Sequence, residues 1–286
     1  MKRKIIMVFA GVVFLAAMGL TLYPLISNYV NEKYRSEIHT QYTEKIESTD
    51  DTALLEAKEQ AEDYNCSITP GTMQSEAYSQ AAIQKASNGY EELLNLSGDG
   101  IMGYVEIPKI SVQLPIYHGT GSDSLERGVG HLLGSSLPVG GSGTHAILTG
   151  HSGMASQKMF TDLVQLETSD VFYLHVLDET LAYQVDSINT VLPYDTSLLR
   201  ITPDEDLCTL VTCTPYGINT HRLLVRGSRI PYEEAEVLED EIRQEELPAS
   251  SWEQQYVKGV IWGFVALIPI LLTLCIVAAV RRTRHG

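Results

Sequence analysis

Leu207-Cys-Thr-Leu-Val-Thr-Cys-Thr-Pro-Tyr-Gly-Ile-Asn-Thr-His-Arg-Leu-Leu-Val-Arg226 decides how the rest of the chain is read. Residues 209–212 are β-branched or apolar, Pro215-Tyr216-Gly217 breaks the run, and Leu223-Leu224-Val225 resumes it. The stretch therefore predicts a strand, a turn and a returning strand. Cys213 falls where the first strand ends, at the lip of a sheet, and Arg222 opens the second strand close to that thiol. A nucleophilic cysteine needs a neighbour that draws off its proton, and acyl transfer needs a cation or donor for the oxyanion. Arg222 meets the second need, with Arg226, of the same strand parity, as the rival arginine. For the first need, His151 closes another short apolar run, Thr144-His-Ala-Ile-Leu-Thr-Gly-His151. His118, His131 and His221 compete with it, although His221 should point to the face opposite Arg222. The bland alternatives are a cysteine packed as a small hydrophobe and an arginine in a surface ion pair. A position just before Thr-Pro-Tyr-Gly argues against the first of these.

Working outward, two apolar segments flank the chain of 286 residues. Residues 5–26 carry no charge and follow Lys2-Arg3-Lys4; residues 260–280 carry none and precede Arg281-Arg282-Thr-Arg284. Each is about twenty residues, long enough to cross a bilayer. Basic residues flank the outer end of both, so the positive-inside rule predicts two cytoplasmic termini and an outward-facing middle. The first segment is longer than a signal-peptide core and lacks an A-x-A site, which favours a retained anchor over a cleaved signal.

Six of the 20 Lys+Arg sit at the two tips, leaving 14 against 36 Asp+Glu for the part between. So acidic a domain lacks the basic footprint that nucleic-acid binding requires. It suits a partner with a lysine-bearing surface, although acidity also serves plain solubility. The cysteines are at 66, 208, 213 and 275, without CxxC or metal-like spacing. Cys208 and Cys213 point to opposite faces of one strand and lie about 16 Å apart, which excludes a disulfide between them.

Along the chain, residues 28–63 are polar and helix-prone, predicting one or two helices that lift the domain off the membrane or pack on its flank. A Pro70-Gly71 turn interrupts them, and helix signals return over 75–96. Asn95-Leu-Ser-Gly-Asp-Gly100 with Glu106 partly fits a calcium loop, but Glu106 alternates like a strand residue, so an Asx/Gly turn is the expected reading. Strands are expected over 103–110, 112–118 and 145–149, a loop over 130–141, and a short helix over 158–166. A hairpin over 171–177 and 180–192 turns at Asp178-Glu179, and an acidic stalk follows from 233 to 246. Many short strands with little helix predict a sandwich or small barrel.

Taken together, the motifs resemble one family. Thr209-Leu-Val-Thr-Cys213 followed by Arg222, with Leu148-Thr-Gly-His151 upstream, resembles the sortase signature TLxTC…R with its histidine. Thr212-Cys-Thr-Pro-Tyr-Gly-Ile-Asn-Thr-His-Arg-Leu-Leu-Val-Arg-Gly227, with Gly103-Tyr-Val-Glu-Ile-Pro-Lys-Ile110 and Leu114-Pro-Ile-Tyr-His-Gly119, is similar to the class C, pilus-building branch. Several separated motifs over roughly residues 89–232 are more specific than any one of them.

The resemblance implies a mostly β chain built on a closed mixed sortase-type β-barrel, with short helices, an N-terminal helical segment and two terminal transmembrane helices. The layout expected is a cytoplasmic tip (1–4), an anchor (5–26), a helical stalk with a possible lid (27–100) and the catalytic barrel (101–232). An acidic juxtamembrane stalk (233–257), a transmembrane helix (258–280) and a basic cytoplasmic tail (281–286) complete it. Cys213, His151 and Arg222 are the implied catalytic residues. The implied reaction cleaves an LPxTG-like sorting signal between Thr and Gly and joins pilin subunits to a lysine amine, with no cofactor and no metal. A monomeric catalytic domain on the outer face of the cell membrane is expected. Alternatives are a housekeeping-type sortase acting on cell-wall amines and a non-enzymatic scaffold on the same barrel. The branch also implies a lid carrying an Asp-Pro-aromatic triplet; no such triplet occurs in this region, so either other residues of 65–79 form the lid, with Met73 or Tyr78 plugging the groove, or there is no comparable lid.

Overall fold

A computed structural model describes residues 2–68, 89–152, 157–244, 256, 258–263 and 265–266. The proposed lid residues Met73 and Tyr78, the helix signals over 75–88, Cys275 and most of the segment 258–280 lie outside the described residues. The chain divides into two compact units, one of residues 1–25 with 248–286 and the other of residues 26–247.

In the first unit the chain is helical from Lys2, the start of α1 (Lys2–Glu47), and Val12, Phe14, Leu15 and Leu20 are exposed. Among the described residues this one helix is long and apolar enough to cross a membrane, by length and composition. Within the same unit the Tyr256 hydroxyl donates to the Thr21 carbonyl at 2.6 Å.

The second unit holds a closed barrel of eight strands: β1 (Ile101–Ile107), β2 (Val112–His118), β3 (Val129–His131), β4 (Thr144–Thr149), β5 (Val171–Val176), β6 (Glu179–Val191), β7 (Asp206–Thr214) and β8 (His221–Ile230). Their order around the barrel is β1-β2-β3-β4-β7-β8-β6-β5. The β2–β3 and β4–β7 pairs are parallel and the rest antiparallel, so the barrel is mixed. Alternation along each strand fills it. Cys208 and Leu210 join Val225 and Phe172 in the main core, while Val211 and Leu224 pack on the other face with Ile147 and Leu199. Pro231, which has no amide donor, follows the last residue of β8.

Two helical additions pack on the barrel rather than standing away from it. From α1 come Tyr42 and Ile46, and from α2 (Asp51–Ser67) come Leu54, Ala57 and Ala61, all buried in the core. The Tyr42 hydroxyl donates to the Met102 carbonyl at 3.2 Å and accepts from the Leu177 amide at 3.1 Å. Asn65 pairs both polar groups of Leu137, at 3.2 and 2.6 Å, and Lys58 forms an ion pair with Glu179. Of the two arrangements open to the N-terminal helices, flank packing is the one observed.

The acidic stretch after the barrel differs from the expected stalk over its first part. It forms α4 (Tyr232–Gln244), with Ala235 buried against Val171, Tyr173 and Ala182, and Leu238 beside them. The Tyr173 hydroxyl donates to Glu239 Oε2 at 2.9 Å. The charge run hid an apolar stripe at helical spacing, which matches the outward side chains of β5 and β6.

Smaller departures have local causes. The expected loop over 130–141 begins inside a three-residue strand, β3, too short to show a period of two. The helix expected over 158–166 is a single 3-10 turn, Thr161–Gln165. A short α3 (Ser122–Arg127) precedes β3. The Asn95 turn closes on itself: Asn95 Oδ1 accepts from the Gly100 amide at 2.9 Å, and Glu106 lies on β1 with its carboxylate on His175 at 2.9 Å.

Candidate active site

The hairpin of β7 and β8 sets the first two groups. Its antiparallel register places Cys213 directly opposite Arg222 and Thr214 opposite His221. The turn between them is tied by the Ile218 and Asn219 amides, both donating to the Pro215 carbonyl at 3.0 Å. Gly217 and Asn219 take positive φ values of 72° and 61°, which suits these residue types. Arg222 Nη1 donates to the carbonyls of Asn219 (3.3 Å) and His221 (3.1 Å), so the turn itself orients the guanidinium. The rival Arg226 is engaged elsewhere, with Nε 2.8 Å from Asp186 Oδ1.

The third group arrives by a non-local pairing. Strand β4 runs parallel to β7, with Thr149 level with Val211. Beyond Thr149 the chain stays tethered to β7 although the strand has ended. The Gly150 amide donates to the Val211 carbonyl at 3.0 Å, and the Thr212 hydroxyl donates to the Gly150 carbonyl at 2.8 Å. The Ser152 hydroxyl donates to the carbonyl of Cys213 at 2.6 Å, and the His151 carbonyl accepts from the Phe160 amide at 2.9 Å. His151 is thereby held between two residues that are each bonded to the end of β7. Cys213 and His151 are both half-buried, reachable from solvent at the barrel rim.

Three of the other histidines are committed to structure, while the rival His221 is half-buried with Nδ1 3.0 Å from the hydroxyl of its neighbour Thr220. His131 is fully buried, with Nδ1 2.8 Å from the Tyr90 hydroxyl and Nε2 2.8 Å from the Ser136 carbonyl. Burial lowers its pKa to about 4. His145 sits on β4 level with Leu207, and its nitrogens meet the Arg200 carbonyl (2.8 Å) and the Thr209 hydroxyl (2.7 Å); burial again lowers its pKa to about 4. Both ring nitrogens of His118 face carbonyls, of Gly100 at 3.0 Å and Leu93 at 2.8 Å. Of the other thiols, Cys208 is buried, which pushes it well above its ordinary value, and Cys66 is exposed on α2.

Sequence reasoning missed the tethers, Thr212, Ser152 and Phe160. A hydroxyl directly after the histidine was a visible signal, but its acceptor lies 61 residues away and emerges only when β4 and β7 pair.

Comparison with known proteins bears on the fold that carries these residues. The sortase domain family matches residues 105–230. Among curated relatives, sortase D of Bacillus subtilis is 31% identical over 131 residues, covering 45% of this chain and 63% of that protein. The crystal structure of Streptococcus pneumoniae sortase C is 42% identical with a TM-score of 0.61, covering 68% of this chain and 97% of that one. A pilus-related sortase C of Group B Streptococcus is 37% identical with a TM-score of 0.59, covering 67% and 96%. With such identity over nearly the whole of two class C structures, and with the closed mixed barrel already in place, this chain belongs to the sortase family of cysteine transpeptidases and stands beside its class C branch.

Proposed function

We propose that the chain is a membrane-anchored transpeptidase that links pilin subunits, with Cys213 as nucleophile, His151 as acid and base, and Arg222 as the cation that holds the reacting carbonyl. The observation that carries this reading is the facing pair Cys213 and Arg222 across β7–β8, with His151 tethered alongside the same strand end. The Cys213 thiolate attacks the Thr carbonyl carbon of an LPxTG-like signal, and negative charge develops on oxygen beside Arg222. Collapse breaks the C–N bond as the His151 imidazolium gives its proton to the departing glycine amine. A lysine amine of the next subunit then attacks the thioester, neutral His151 takes the excess proton, and the thiolate leaves with an isopeptide bond formed. Water in place of the amine gives hydrolysis. The sortase C relatives described as pilus-related, and in terms of pilin substrate specificity, favour a pilin as substrate.

In this reading residues 5–26 and 258–280 both span the membrane, the barrel of residues 101–232 faces outward, and the catalytic unit works as a monomer. Anchoring enzyme and tailed substrates in one bilayer raises their effective concentration. The test uses the full chain in lipid vesicles with an LPxTG peptide and a purified pilin, wild type beside Cys213→Ala. A covalent pilin ladder formed by wild type alone supports the proposal. Attachment only to small amines points to the housekeeping role, and no thioacyl adduct on wild type points to a scaffold. Reporter fusions at both termini, protected from external protease, test the two-pass topology.

A further inference from the structure

Parallel β4 and β7 exchange rungs every second residue, and the last backbone rung is Gly150 N–H to the Val211 carbonyl at 3.0 Å. The next acceptor in that series is the carbonyl of Cys213, two residues on. By then the backbone of β4 has left the sheet, turning towards Phe160, whose amide holds the His151 carbonyl at 2.9 Å. The Cys213 carbonyl takes its bond from a side chain instead, the Ser152 hydroxyl at 2.6 Å. A serine hydroxyl thus supplies the rung that a departing amide no longer makes. It is a direct bond between the residue after His151 and Cys213 itself.

We propose that Ser152 is a positioning residue, whose hydroxyl bond to the Cys213 carbonyl fixes the spacing of the Cys213 thiol and the His151 imidazole. This rests on the assignment of Cys213 and His151 made above. The physical argument is one of distance. A thiol gives up its proton more readily the closer an imidazolium stands, and proton delivery to a leaving amine demands hydrogen-bond reach. Thr212 already tethers Gly150, on the near side of His151, through its hydroxyl at 2.8 Å. Ser152 tethers the far side, so His151 is held from both directions against the end of one strand. Without the second tether the histidine would hang from Gly150, bonded to Val211 and Thr212, and from the Phe160 amide, with no hydrogen bond to Cys213 itself. Ser152 touches no substrate atom in this scheme; it acts through the two groups that do.

The test compares full-length wild type, Ser152→Ala, Ser152→Thr and Cys213→Ala in lipid vesicles. Two readouts are taken: kcat and KM for an LPxTG peptide, and the pH dependence of Cys213 alkylation by iodoacetamide, followed at the Cys213 peptide by mass spectrometry. Ser152→Ala is expected to lower kcat by about tenfold, short of the roughly hundredfold cost of a 1 Å misplacement, with KM within about twofold. Its alkylation midpoint should differ from that of wild type, because the spacing of thiol and imidazole has changed. Ser152→Thr, which keeps the hydroxyl, should restore both. The proposal is overturned if Ser152→Ala leaves kcat and the midpoint unchanged. It is equally overturned if kcat falls with an unmoved midpoint, because a general loosening of the fold would do that. Retained turnover in Cys213→Ala would sink the underlying catalytic assignment, whereas an inactive Cys213→Ala beside an unaffected Ser152→Ala would sink this inference alone.

Discussion

Gly150 lies flat against the ring of Phe160: a Cβ built at residue 150 would stand 2.6 Å from Phe160 Cδ2. The Phe160 amide in turn holds the His151 carbonyl, so ring and backbone of one residue bracket the approach to the histidine. Phe160 is fully buried and cannot swing out to solvent. Gly150→Ala must therefore displace either the ring or the loop carrying His151. A shift near 1 Å at His151 predicts a loss in kcat of about a hundredfold. Peptide turnover measured on folded protein checks it, and activity within twofold of wild type would refute it.

The two arginines of β8 should separate cleanly. Arg222 faces Cys213, whereas Arg226 is level with Thr209 and bonded to Asp186. Arg222→Ala is expected to cost about 10²–10³ in kcat, the range for removal of one oxyanion donor. Arg226→Ala should leave kcat within about twofold and cost at most ~1 kcal/mol of stability, because its ion pair is partly solvated. Steady-state kinetics on both variants decide the matter, and equal losses would contradict the register argument.

Acid should loosen the catalytic unit before it protonates most carboxylates. Burial lowers the pKa of both His131 and His145 to about 4, and burial followed by the charge of His175 lowers that of His39. His131 and His145 are held neutral in the fold above about pH 4 and titrate at their ordinary value, near 6.5, once unfolded. Between those two values the unfolded chain binds more protons, so stability is full above about pH 6.5 and falls as pH drops towards 4. The Glu106 carboxylate, lowered mainly by its hydrogen bond from His175, adds a further loss below its unfolded value of 4.5. Near-UV circular dichroism in denaturant, repeated from pH 7.5 to 4, should show midpoints falling steadily. A flat profile would mean the buried imidazoles are charged.

Tyr42 is one of several ties of α1 to the barrel, beside buried Ile46 and the bond from the Lys158 amide to Asn28 Oδ1 at 3.1 Å. Tyr42 satisfies both the Met102 carbonyl and the Leu177 amide from a buried position. Tyr42→Phe keeps the packing but strands two buried polar groups, at a cost of about 1–3 kcal/mol. Hydrogen exchange should register it first as lost protection at the Leu177 amide, while the β7–β8 amides stay protected. Unchanged protection at Leu177 would show that the bond carries no stability.

Much of the site was legible because its geometry is local. Cys213 and Arg222 belong to one hairpin with a short, punctuated turn, so alternation and turn chemistry were enough to bring them together. The apolar helix at the start, the acidic balance and most strand positions follow from composition and period in the same way. The exclusion of His131 was not legible: its environment is assembled from Tyr90 and Ser136, and β3 is too short to announce itself. The docking of α4 was hidden for a related reason, since a stripe of Ala235 and Leu238 in a run of glutamates acquires meaning only opposite Tyr173 and Ala182.

What the amino-acid order determined by itself, then, was a thiol at a strand end, a guanidinium across from it, and a histidine closing an apolar run elsewhere. The placing of the segment that carries His151 beside the end of the strand that carries Cys213 was decided by tertiary structure alone, through a parallel pairing of β4 with β7 between residues some sixty positions apart. Parallel strands need a long crossover and cannot be registered by a turn, so their alignment is chosen by which closure of the barrel buries the most apolar surface. The hydroxyls of Thr212 and Ser152 could find their carbonyls only after that choice was made.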